Sequence, residues 1–310
     1  MTATTKPAPA GMPATARQEP MRRSTLRRFF VSGRQDSPFK RIMINLVLIF
    51  CCIIAVYPVL RILSVSLRPG DRLLSTSLAI IPDDATLEAY RTVLVEKDFL
   101  LWLWNSIMIT AGTAVVGVTL AATSAYAFSR WKFPGRAPGL IFLLATQMIP
   151  APMMIVPIFI LATKLALTET YRGLILAYSV TSIPFSIWIL KGYYDTIPHD
   201  LEEAALIDGA SRLGSFFRII LPLSTPALAI VFLFNFMTAW NDYLFARVML
   251  GKSTGLWTWP LGLQQFQSQF QTQWGMFAAS SIMVTIPVLI LFLYSSKWLI
   301  SGLTLGSVKG

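Results

Sequence analysis

Six stretches of this chain, at about residues 42–66, 103–128, 139–163, 172–194, 222–248 and 276–300, are each apolar over close to the ~20 residues that a helix needs to cross a bilayer. Runs of that length leave little choice of fold, and the expectation is an all-α membrane protein with six transmembrane helices. Composition agrees. Charged residues make up 13% of the 310 residues, about half the ~25% of a soluble domain. Prolines mark the weak points of the pattern. Pro150, Pro152 and Pro157 interrupt the third segment and Pro184 the fourth, which is tolerated where neighbouring helices or water re-satisfy the freed carbonyls. These are kinks beside a pathway or kinks of ordinary packing.

The net charge is +11, yet the basic residues lie beside apolar segments and not along one helix face, a pattern of membrane topology and not of nucleic-acid binding. Arg22, Arg23, Arg27, Arg28, Arg34, Lys40 and Arg41 precede the first segment, Arg130, Lys132 and Arg136 fill the short loop between the second and third, and Arg212 and Arg218 precede the fifth. The loop after the first segment mixes Arg68, Arg72, Arg91 and Lys97 with six acids, and the last long loop holds Lys252 alone. The positive-inside rule therefore places both termini in the cytoplasm. Residues 1–40, rich in Ala, Pro, Thr, Ser and Arg, are expected to form a disordered cytoplasmic arm, 41–300 the membrane domain, and 301–310 a cytoplasmic tail.

Several apparent motifs lead nowhere. Arg27-Arg28-Phe29-Phe30 imitates a twin-arginine export signal, but Arg34, Asp36, Lys40 and Arg41 intervene before an apolar run long enough to span. Gly251-Lys252-Ser253 imitates the end of a phosphate-binding P-loop, but Ala246 stands where the first glycine belongs and no strand precedes it. Cys51 and Cys52 are sequence neighbours pointing to different sides of a helix, and His199 is the single histidine, so neither a disulfide nor a metal site is expected. No hydrolase or zinc-protease signature occurs. The expectation is a chain that is not an enzyme and binds no cofactor of its own. Asn235, Asn241 and Asp242 in the fifth segment are candidates either to line a polar pathway or to bond neighbouring helices. The last long loop interleaves Gln264, Gln265, Gln267, Gln269, Gln271 and Gln273 with Phe266, Phe270 and Trp274, and amides beside aromatic faces suit a sugar ring as well as a solvated loop with interfacial anchors.

The stretch 196–222 is the longest polar interruption of the apolar second half. Asp200 stands three residues before Glu203, the spacing of a capping box. Gly209 is placed to close a first helix, Ser211 to cap a second, and Pro222 to open the next span. The predicted product is a helix–turn–helix elbow between two spans. Glu203-Ala204-Ala205, Gly209, Ile219 and Leu221-Pro222 fill, at full spacing, the loop pattern EAA, three residues, Gly, nine residues, Ile, one residue, Leu-Pro. That loop is typical of importer permeases of the ATP-binding-cassette class, and the chain resembles them.

The resemblance sharpens elsewhere. Leu100-Leu101-Trp102-Leu103-Trp104-Asn105-Ser106, Tyr126-Ala127-Phe128, Phe133-Pro134-Gly135, Leu190-Lys191-Gly192-Tyr193 and the ending Gly302-Leu303-Thr304 to Val308-Lys309-Gly310 are similar to the maltose-type permeases, and about 42–310 is covered. The arm departs from that pattern in length and composition. What the resemblance implies is a MetI/MalG-like permease fold and a complex of this subunit with a MalF-like second permease, two MalK-like ATPase copies and an extracytoplasmic sugar-binding protein. ATP and Mg are then used by the ATPase, with closure of its dimer transmitted through Glu202, Glu203, Ala204, Ala205, Asp208, Gly209 and Ala210, and Glu203 facing a basic group. The resemblance also implies that Gly306, Ser307, Val308, Lys309 and Gly310 reach between the ATPase subunits. The loop at about 253–273, with Gln264, Gln265, Gln267, Phe266 and Trp274, enters the binding protein's sugar cleft, and the other permease holds most of the sugar. The cargo it suggests is an α-glucoside such as maltose, maltodextrin or trehalose. Another oligosaccharide, a glycerol phosphodiester, or a stand-alone secondary transporter remain as alternatives.

Overall fold

The computed structural model describes residues 38–71, 79–267 and 272–306, with side chains described through Trp298. Twelve helical elements are used below. Helix α1 (Pro38–Ser66) is followed by α2 (Glu88–Val95), α3 (Phe99–Arg130), the pair α4 (Arg136–Thr146) and α5 (Ala151–Lys164), and α6 (Tyr171–Tyr194). The elbow comprises α7 (Asp200–Ile207) and α8 (Arg212–Leu223), the latter containing a π-helical turn at Phe216–Ile220. Then come α9 (Thr225–Trp240), α10 (Leu244–Met249), α11 (Trp259–Leu263) and α12 (Trp274–Gly306). The described residues divide into two units between Val59 and Leu60, within α1. Cys51 and Cys52 are free and exposed on it.

Four helices, α1, α3, α6 and α12, are long and apolar enough to cross a membrane as single rods. Two bent helix pairs pass the same test only when each is taken together: α4 with α5, turned by 104°, and α8 with α9, turned by 78°. The first bend has a local cause. The backbone N–H groups of Gln147, Met148 and Ile149 turn back to carbonyls three residues earlier after α4 ends at Thr146, and Pro150, with an extended ψ of 129°, stands at the N-cap of α5. The expected spans 139–163 and 222–248 are thus not continuous. In the fifth stretch the bend falls at Ser224, between α8 and α9, and α9 stops at Trp240, leaving Asn241 and Asp242 in the break before α10. Two outer boundaries also shift, because α1 begins at Pro38, inside the expected arm, and α12 continues through Gly306, into the expected tail.

The core of the larger unit forms where α3, α6 and α9 cross. Helix α3 presents Ala114, Gly117, Ala121, Ala122 and Ala125 as a buried small-residue stripe, which lets backbones approach where lipid supplies no hydrophobic drive between helices. Gly117 is required there, since a Cβ would lie 2.2 Å from Oδ1 of Asn235. Asn235, fully buried on α9, accepts from Ser182 (2.6 Å) and donates to Ser186 (2.8 Å) on α6 and to its own Val231 carbonyl (2.7 Å). At the elbow end the core continues through Tyr126, Ile187, Leu190, Tyr194, Phe216 and Ile220. At the opposite end Phe99, Trp102, Phe236, Trp240 and Phe266 pack together, with Val93 of α2 buried among them. Helix α4 buries no residue, and α5 only Ala162.

Candidate functional site

The elbow is closed by backbone bonds. Gly209 adopts a left-handed conformation (φ 86°), its N–H bonds to the Leu206 carbonyl (3.1 Å), and the next N–H, of Ala210, reaches back to Ala205 (2.9 Å). This is a Schellman closure, which only a residue without a Cβ penalty accepts easily. Ser211 then caps α8, its hydroxyl accepting from the Gly214 N–H at 3.0 Å. The other end differs from the capping-box expectation. Asp200 already lies in the first turn, the position before it is His199, and no side chain caps the helix. The N–H groups of Glu202 and Glu203 go to the His199 carbonyl (2.9 and 3.1 Å), and the acids of that turn act on the helix dipole instead.

The two adjacent glutamates divide the work. Glu203 points outward and is exposed, whereas Glu202 is buried. The Glu202 carboxylate accepts from the Tyr126 hydroxyl (2.6 Å) and forms an ion pair with Nε of Arg130, both at the end of α3. Arg130 donates further to the Ile197 carbonyl (3.1 Å), and His199 lies 3.4 Å from its Nη1. A second pairing stands beside the first. Asp195, at the end of α6, accepts from Ser129 (2.6 Å) and from Lys191. Burial would raise the Asp195 pKa, but the hydrogen bonds from Lys191 and Ser129, with the charges of Lys191 and Arg136, outweigh it and hold the carboxyl below its ordinary range. The elbow is therefore riveted to two spans at once.

Its outer surface has the opposite character. Leu201, Ile207, Leu213 and Phe217 are exposed large apolar side chains, Ile207 to 86%, beside exposed Glu203, Ala204 and Asp208. Ala205 and Ala210 are half-buried. This outer surface is therefore apolar with acidic side chains beside it. Among the described residues no group of three or more His, Cys, Asp or Glu could hold a metal ion.

The last long loop is more ordered than a solvated loop. Asn105 on α3 donates to the carbonyls of Gly255 (3.0 Å) and Trp257 (2.9 Å) and accepts from Tyr171 (2.6 Å), while the neighbouring Ser106 accepts from the Trp259 N–H (2.7 Å). Gln264, Gln265 and Gln267 are exposed and Trp274 is half-buried against Phe277. Phe266 corrects the sequence reading: it is 1% exposed and packs edge-on against Trp102, so its ring belongs to the core and not to a sugar-facing surface. Gln269, Phe270 and Gln271 lie outside the described residues, as do Ser307, Val308, Lys309 and Gly310 of the tail; Gly306 ends α12.

Asn241 donates its side-chain amide to the Met237 carbonyl of its own helix (3.0 Å) and is exposed. Asp242 accepts from the Phe245 and Ala246 N–H groups and from the Tyr178 hydroxyl, which makes it the cap of α10. Lys252 and Ser253 of the P-loop look-alike donate their backbone N–H groups to the Glu169 carboxylate, a loop-to-loop tie and not an anion cradle. Sequence reasoning missed Tyr126, Arg130 and Asp195 at the elbow and Asn105 and Ser106 at the loop. For Asn105 and Ser106 a signal existed, since two polar residues in an otherwise apolar helix need partners.

Four long apolar helices, two sharply bent helix pairs and an exposed elbow describe a helical membrane protein. The chain belongs to the family of binding-protein-dependent transport system inner membrane components, whose model matches residues 115–299, and it is accordingly a multi-pass inner-membrane protein. It is 37% identical over 273 residues to the maltose/maltodextrin transport system permease protein MalG of Salmonella typhimurium, covering 82% of this chain and 90% of the relative. It is 35% identical over 290 residues to MalG of Escherichia coli K12, covering 87% and 96%. Among solved structures, a bacterial ABC transporter involved in import of the acidic polysaccharide alginate aligns with a TM-score of 0.74 at 26% identity, over 87% of this chain and 99% of that one.

Proposed function

We propose that this chain is the MalG-type permease subunit of an ATP-driven sugar importer, with six spans, both termini cytoplasmic, and the elbow docked in a cleft of a separate ATPase. The observation that carries the reading is the elbow itself. It has an outward face of Glu203, Ile207, Leu213 and Phe217, and its base is tied to α3 by Glu202. The family and the matching EAA spacing support it, and the distribution of lysine and arginine puts the elbow on the cytoplasmic side. The partners are a MalF-like permease, two MalK-like ATPase copies that use ATP and Mg, and an extracytoplasmic binding protein. ATP binding closes the ATPase pair and draws the two elbows together, and the spans open outward because the elbow contacts differ between the two states. Residues 306–310 reach toward the ATPase, and Gln264, Gln265 and Gln267 face the binding protein. An α-glucoside is the cargo that likeness to MalG favours. A second reading keeps the architecture and changes the cargo to another oligosaccharide, since the aligned structure serves alginate.

The test is co-purification of the tagged subunit from native membranes, followed by paired uptake and ATPase measurements. A second permease and a P-loop ATPase are expected to come with it. Gly209→Pro and Glu203→Lys are expected to leave the protein inserted, with sugar uptake lost while ATP hydrolysis persists. Unchanged uptake in both variants, or transport by the isolated chain without ATP, refutes the proposal.

A further inference from the structure

At the end of the bundle away from the elbow, the last turns of α1 meet the first turns of α12 around a cavity of about 430 Å³. Ile62, Val65, Trp274, Phe277 and Ala278 make its wall apolar, and among the described residues Arg61 is the one ionisable side chain that lines it. The Arg61 Nη1 is buried and has no hydrogen-bond partner among the described residues. Ser281, the other polar side chain at the cavity, spends its hydroxyl proton on the Phe277 carbonyl. A guanidinium nitrogen removed from water without an acceptor is costly and calls for an anion.

The depth of Arg61 says which anion. It lies five residues before the end of α1 at Ser66, about 7.5 Å along the axis. Each interfacial layer of a bilayer is about 5–8 Å thick outside the hydrocarbon core. With the helix end at the membrane surface, Arg61 comes at the level where lipid phosphates sit and the acyl region starts. Trp274, first residue of α12, is a side chain suited to that same boundary. The cation and the apolar wall then match the two parts of one amphiphile.

We propose that this cavity binds an anionic phospholipid of that leaflet, with the phosphate on Arg61 and the upper acyl chain along Ile62, Val65, Phe277 and Ala278. The site is independent of the cargo and of the elbow. Its occupant bridges α1 to α12.

Trp274 lines the cavity and reports on it. The assembled transporter is placed in nanodiscs of phosphatidylcholine carrying either brominated phosphatidylglycerol or brominated phosphatidylcholine. The Trp274 signal is taken as the difference between the native protein and Trp274→Phe. At equal mole fraction the phosphatidylglycerol probe is expected to quench that signal at least ~3-fold more, the ratio at which selective binding stands clear of ordinary bilayer contact. Arg61→Gln is expected to abolish the preference and Arg61→Lys to keep part of it. Ala278→Leu fills the cavity without touching the charge and is expected to abolish it too, which keeps the test decisive if Arg61→Gln fails to assemble. Equal quenching by both lipids overturns the proposal. So does absence of quenching, which would show the cavity sealed by the second permease, and so does loss of the preference on adding inorganic phosphate, which would show a site for a free anion.

Discussion

Breaking the pair between Glu202 and Arg130 is the most informative single perturbation of this chain. The two side chains are 11% and 4% exposed, so neither charge has enough water to fall back on. Arg130→Gln leaves the Glu202 carboxylate with the Tyr126 hydroxyl, and Glu202→Gln leaves the guanidinium with the Ile197 carbonyl, the Ser129 hydroxyl and His199. Removing one partner of a buried pair costs about 3–5 kcal/mol. At about 2–4 °C per kcal/mol for a unit of this size, each single variant should melt roughly 6–20 °C lower. The double variant Arg130→Gln/Glu202→Gln strands no charge and should recover about 1–3 kcal/mol of the summed loss. Melting of the purified transporter, followed by intrinsic fluorescence, measures all four corners of the cycle. Protease sensitivity of the elbow should rise in the singles, because the rivet at its base is gone. Strictly additive losses, or singles within about 0.5 kcal/mol of the native protein, would show that the pair is not what holds the elbow.

Two further outcomes follow from the packing. Because Asp195 has its pKa lowered in the folded protein, its contribution is present above the unfolded value of about 3.9 and is lost as pH falls through the folded one. Melting temperature should therefore drop below about pH 4, and Asp195→Asn should lower it at pH 7 while flattening that acid limb; an unaltered limb would rule out the assignment. At the helix crossing, Gly117→Ala drives a Cβ to 2.2 Å from the Asn235 oxygen and must dislodge its bonds to Ser182 and Ser186. With interhelical hydrogen bonds in membranes near 0.6 kcal/mol each, and overpacking adding about 1–3 kcal/mol, a loss of roughly 2–4 kcal/mol is expected in the same melting assay.

Much of this architecture is legible in the residues, and the reasons it stops being legible are local. Apolar length located α1, α3, α6 and α12 to within a few residues, since a bilayer sets the length of what crosses it. The prolines of the third span announced an interruption but not an angle of 104°, which depends on what packs beside the break. Gly209 and Ser211 were readable because a left-handed closure and an N-cap are chemistry of single residues. Asp200 misled because the Pro198-His199 turn starts the helix one residue earlier than a capping box at Asp200 requires. Phe266 looked outward only because Trp102, far away in the chain, was not visible beneath it. The tie of Glu202 to Tyr126 and Arg130 joins residues 76 and 72 positions apart, a distance no local pattern reaches.

The closure at Gly209 also has a consequence for how such subunits diversify. Since the bend is made by the main-chain groups of Ala205, Leu206, Gly209 and Ala210, the side chains on its outward face, Glu203, Ile207 and Leu213, carry no duty in making it. They can drift, or be rewritten in the laboratory, while the turn keeps its shape, so the proposed docking face is separable from the scaffold that presents it.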